Sequence, residues 1–175
     1  EVRGAVSSVV GAAGRELHIT GFDIQDVALQ PGTMEELKRI LGSAHAALIA
    51  RLERAESMIR TVRAKRTSDA DAAELNAVYR TVAGMLADHE KRSTGDAAAG
   101  LAFLQRQMLS RAALVATSLA PPGSREAFET RDAEMAHNFN YLMQRRHADQ
   151  KVIVWGHNSH VAKQWPLPQN PRVMG

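Results

Sequence analysis

The sequence predicts an α/β protein dominated by helices: short strands of a parallel or mixed sheet, plus a large helical excursion containing a long αα-hairpin. Three observations predict it. Residues 16–22, ELHITGF, alternate apolar and polar positions as a half-buried strand does. Residues 152–155, VIVW, form a β-branched and aromatic run that reads as a buried strand ending at Gly156. Between these two stretches apolar residues return every three or four positions, the period of helices packed by one face. Two strands are too few for a stable sheet covered by helices, so the expectation is a portion of a larger unit. Residues 1–32 and 120–175 are assigned to the α/β core and residues 33–119 to the helical excursion.

The elements follow in order. Residues 2–13 read as the end of a helix, with Val2, Val6, Val9 and Val10 on one side and Gly11 and Gly14 loosening its exit. In the strand that follows, His18 reads as a face residue, and Asp23 stands just past its end, where an Asp also commonly closes a turn. Thr33 and Glu36 have the spacing of a capping box. Leu37, Leu41, Ala44, Leu48, Ala55, Met58 and Val62 then continue one stripe to Lys65, a helix of about 32 residues and about 48 Å. Ser68 with Asp71 opens a second helix, whose Leu75, Val78, Tyr79, Val82, Met85 and Leu86 should pack back on the first as an αα-hairpin. A third helix runs from near Thr94 to Leu119 with Leu101, Leu104, Met108, Ala112 and Val115 facing inward, and Pro121-Pro122-Gly123 stops it. Ser124 caps a fourth, carrying Phe128, Met135, Phe139, Leu142 and Met143. Arg131 and Asn138 share a face of that helix and Asp132 lies about 100° round; residue type alone reads them as surface.

Composition narrows the function classes. A net charge of +3 from 22 basic and 19 acidic side chains is a slight imbalance, and the basic residues of 51–66 are interleaved with Glu53 and Glu56, so no nucleic-acid partner is implied. The absence of cysteine excludes disulfides, thiolate metal sites and a cysteine nucleophile. No stretch reaches the roughly 20 apolar residues of a membrane helix, and no signal segment opens the chain; a soluble, cytoplasmic protein without a membrane partner is expected. The first residue is Glu1, and both ends read as cuts through a longer chain.

The chemistry gathers at His157, Asn158, Ser159 and His160, directly after the predicted strand. Two imidazoles three residues apart in a turn can act as a general base toward water, stabilise an oxyanion, or ligate a metal. The plain alternative is a strand-end histidine satisfied by backbone groups. An H-x-x-H pair alone lacks the glutamate and the helical spacing of a zinc protease.

Arg131-Asp132-x-x-Met135-Ala136-x-Asn138, followed by Lys151 to Trp155, Gly156-His157-Asn158-x-His160-Val161, resembles the erythromycin esterase family, whose R-D-x-x-M-A-x-N helix leads to a strand ending in W-A-H-N-x-H. Gly21-Phe22-Asp23-Ile24-Gln25 resembles that family's G-F-D-x-Q segment, and Met174-Gly175 its Met-Gly pair. The resemblance implies an esterase-type hydrolase that opens an ester or macrolide lactone by histidine-assisted attack of water, the activity linked to macrolide antibiotic resistance. It makes His157 and His160 the catalytic pair, with Asp23, Arg131, Asp132, Asn138 and Asn158 binding substrate or supporting the site. The family's Gly-Glu-x-x-His-Gly segment does not occur in these 175 residues, so the chain is expected to hold part of the site, with His157 and His160 positioning water or stabilising the oxyanion. No cofactor is expected: Asp23 beside two histidines is thin for a three-ligand metal centre, and metal use is left open. The expected partner is a small-molecule ester or macrolide; the oligomeric state is open. The alternatives are a non-catalytic helical binding or assembly module and a metal-dependent hydrolase on the same fold.

Overall fold

A computed structural model describes residues 7–10, 16–24, 29, 32–62, 68–121 and 123–154. Its elements are strands β1 (Ser7–Val10) and β2 (Glu16–Ile19) and helices α1 (Thr33–Leu41), α2 (Ala46–Val62), α3 (Asp69–Glu90), α4 (Gly95–Leu119) and α5 (Arg125–Tyr141), the last running into a π-helical turn at Leu142–Arg146. The fold is helical, which corrects the expected α/β class. Among the described residues the strand content is one antiparallel pair, β1 on β2, with Ser7 opposite Ile19 and Val10 opposite Glu16. No parallel or mixed sheet is formed by these residues.

Two local readings account for that correction. Residues 7–10 pair as a strand where a helix end was expected; valines at three- and four-residue steps fit either element over so short a run, and β-branching favours the strand. Val152, Ile153 and Val154 have strand-like composition but no regular structure, and they are 42%, 91% and 48% exposed. β-propensity describes fitness for a pleated, half-buried surface, and β2 has its ladder with β1 instead. Trp155 and residues 156–175, with the predicted His157, Asn158 and His160, lie outside the described residues.

The predicted single helix over 33–65 is two. Gly42 stands between them at φ +72°, in the left-handed region that favours glycine, its N–H bonded to the Lys38 carbonyl at 2.9 Å. The break resets the phase of the apolar stripe, so Leu52, Ala55 and Ile59 are buried on α2 while Ala44 and Met58 are exposed. The capping box does not form either: Gly32 at φ +84° occupies the N-cap, Thr33 is buried inside the first turn, and Glu36 pairs with Arg39.

Later elements follow the predicted pattern closely. The Ser68 hydroxyl accepts from the Asp71 N–H at 3.1 Å and the Ser124 hydroxyl from the Ala127 N–H at 3.2 Å, so both caps are made. Leu75, Val78, Tyr79, Val82 and Leu86 on α3 and Leu101, Leu104, Met108, Ala112 and Val115 on α4 all enter one buried cluster with Leu37, Leu41, Leu52 and Ile59. The hairpin partner differs from the expected one: α3 pairs chiefly with α4, joined through the turn at Lys91–Thr94, and α2, in the segment expected to pair with it, packs less extensively. One ion pair enters this apolar mass: Arg111 Nε donates to Glu56 Oε1 at 2.6 Å, with both side chains largely buried. Beside it the Tyr79 ring is completely buried, and burial pushes its phenol well above the usual range.

Candidate active site

The opposite side of α4 faces α5, and here the contact is polar. Arg106 and Ser110 are four apart on α4, Glu134 and Asn138 four apart on α5, so each pair stands one turn apart on a single helix face. Arg106 forms an ion pair with Glu134 and donates to Asn138 Oδ1 from Nε at 3.1 Å and from Nη2 at 2.9 Å. Asn138 Nδ2 in turn donates to Ser110 Oγ at 2.9 Å and to the Phe22 carbonyl at 3.1 Å. An amide has two donor hydrogens and two acceptor lone pairs, and these contacts occupy all four.

The Phe22 carbonyl belongs to the segment that leaves β2, and α5 holds this segment at several points. The Phe22 ring meets Phe139 edge-on with centroids 5.7 Å apart. Asp23 receives a two-point contact from Arg131, Nε to Oδ1 at 3.0 Å and Nη2 to Oδ2 at 2.5 Å, across 108 positions of sequence. Such a fork fixes the plane of the carboxylate as well as opposing its charge. Ile24, next along, is buried. At the other end of the segment Thr20 Oγ1 lies 3.5 Å from His147 Nε2, while His147 Nδ1 is 2.8 Å from Gln150 Oε1. The π-helical turn at Leu142–Arg146 separates His147 from α5.

The structure thus brings Asp23, Arg131 and Asn138, three of the residues singled out in the sequence, to one seam. Arg131 is half-buried against Asp23, and Asp132, at 7% exposure, turns into the protein; neither is the surface residue that its type suggests. Arg106, Ser110, Glu134 and His147 were not among the sequence candidates. A faint signal was present: Arg106 and Ser110 are polar residues at helical spacing within a mainly apolar helix. Asn138 cannot offer its amide to a ligand without giving up a contact, so it acts on the Phe22–Asp23 backbone. Asp23, about one-third exposed, and Arg131 are the charged groups at the surface of the seam.

A separate cleft of about 770 Å³ lies where the start of α1 meets the α3–α4 turn, with Glu36, Arg39, His89, Ser93 and Asp96 on its walls; none of the sequence candidates lines it. Among the described residues no group of three or more His, Asp or Glu side chains is placed to hold a metal, and no helix is long and apolar enough to cross a membrane.

No curated protein and no solved structure matches the chain. The profile of the erythromycin esterase family matches residues 11–169, a span that contains β2, all five helices, Asp23, Arg131, Asn138 and the two histidines beyond them, and the chain belongs to the erythromycin esterase family.

Proposed function

We propose that this chain is an esterase-type hydrolase acting on a small-molecule ester, with macrolide lactones as the first class to test. The observation that carries the reading is the fork between Arg131 and Asp23. Family membership alone supports ester hydrolysis in general terms. The fork adds that the segment leaving β2 and the charged face of α5 work as one unit, with a carboxylate held rigidly at its rim.

In this reading His157 and His160 position the attacking water and stabilise the oxyanion. A general base takes a proton from water as its oxygen attacks the ester carbonyl carbon. The carbonyl π electrons move to oxygen, and an imidazole N–H or a nearby donor stabilises that oxyanion. Collapse breaks the bond to the alcohol oxygen, which takes up the proton; the products are a carboxylic acid and an alcohol, joined in one molecule when the substrate is a lactone. Asp23, held in the Arg131 fork, orients a histidine or the attacking water, and Asn158 contributes to binding.

The test is mass spectrometry of macrolide lactones and simple aryl esters after incubation with the protein, reading the addition of one water. His157→Ala and His160→Ala are each expected to lower kcat/KM by about a hundredfold or more. Turnover unchanged in either folded variant overturns the assignment of that histidine, and no turnover of any ester by the wild type overturns the hydrolase reading. Retention of turnover after exhaustive chelation would exclude a metal-dependent route.

A further inference from the structure

We propose that Arg106 and Ser110 of α4 are positioning residues for the site, acting through the Asn138 amide on the backbone of Phe22 and so on Asp23; this rests on the hydrolase reading above. Arg106 and Ser110 belong to the helical excursion, outside the motif residues of α5 and of the segment after β2.

A seam between two helices gains its stability chiefly from apolar burial. Arg106 and Glu134 are 18% and 11% exposed, and taking such a pair out of water costs free energy that well-packed apolar side chains would not. Stability alone would favour leucine or alanine at these positions, as on the other face of the same helix. What the polar set supplies is direction. Both donors of Arg106 converge on Asn138 Oδ1, which fixes which end of the amide is the acceptor. The nitrogen end must then point away, toward Phe22 O and Ser110 Oγ. Ser110 Oγ accepts the second amide hydrogen, and its own O–H lies within donating reach of Asn138 Oδ1 at 3.2 Å and of Glu134 Oε1 at 3.4 Å. Without Arg106 the amide is free to rotate about its last bond and present oxygen to the Phe22 carbonyl, which repels it. The peptide joining Phe22 to Asp23 is the element so held, and the next side chain along is the carboxylate in the Arg131 fork.

Two readouts on the full chain test this, one independent of turnover. The first is the Asn138 side-chain amide resonance pair, identified by its loss in Asn138→Ala. The second is kcat and KM measured separately. In Arg106→Met and in Ser110→Ala the amide protons are expected to exchange with water about tenfold faster, and kcat to fall about tenfold with KM changed less than twofold. Ser110→Thr, which keeps the hydroxyl, is expected to restore both, an outcome that a loss of general packing would not give. Two single variants are used so that a failure of one to fold leaves the other. Unchanged amide exchange and unchanged kcat in a folded variant overturn the proposal. Faster amide exchange in a protein that hydrolyses no ester supports the clamp and overturns only the hydrolase reading beneath it.

Discussion

Helix α4 has two working faces, and they are built on opposite principles. Toward α3 it presents Leu101, Leu104, Met108, Ala112 and Val115, all buried in one apolar cluster. Toward α5 it presents Arg106 and Ser110, engaged with Glu134 and Asn138. Apolar burial has no preferred direction, so the first face tolerates many combinations of side chains of similar volume. The second depends on particular donors meeting particular acceptors, and it specifies the orientation of one amide and, through it, one backbone carbonyl. The molecule separates what holds the bundle together from what aims the segment after β2.

The largest loss of stability is expected where a charge intrudes on the apolar side. Glu56→Ala removes the carboxylate paired with the largely buried Arg111 guanidinium, and urea unfolding is expected to show a loss of about 3–5 kcal/mol. Leu86→Ala removes a fully buried side chain from the α3 face, with an expected loss of about 2–4 kcal/mol in the same measurement. Tyr79→Phe should be the mildest. The hydroxyl is buried without a hydrogen-bond partner among the described residues, so the change is expected to stay within about 1 kcal/mol at neutral pH or to stabilise slightly. Its signature is in the pH profile. Burial raises the phenol's pKa in the folded protein, so the fold keeps a proton that the unfolded chain releases. That contribution is complete below about pH 10, the ordinary phenol value, and stability declines above it; Tyr79→Phe is expected to flatten the decline. An unaltered alkaline slope would show that other groups control it.

How much of this could be read from the sequence depended on the range of the interaction. The inward faces of α3 and α4 and the caps at Ser68 and Ser124 are local patterns, and each appears where its residues place it. Gly42 shows the limit of periodicity: one glycine at positive φ splits a continuous apolar stripe and shifts which residues of α2 are buried. Val152 to Val154 show the limit of propensity, since a strand needs a neighbour that composition cannot supply. At the site, Asp23, Arg131 and Asn138 were marked by the family motifs. Arg106, Ser110 and Glu134 were not, because a polar residue on a helix reads as solvated until its partner, here 24 to 32 positions distant, is known.

In the proposed reading the segment after β2 and the charged face of α5 form one functional unit, joined by Asp23 and Arg131. A double-mutant cycle in ester hydrolysis tests it most directly, using Asp23→Asn, Arg131→Gln and the pair together, with each form's folded fraction matched by circular dichroism. Each single substitution is expected to lower kcat/KM by about a hundredfold, and the double substitution little further, because either change alone already breaks the unit. Losses that simply multiply in the double variant, or single variants that turn over as fast as the wild type, would contradict the claim.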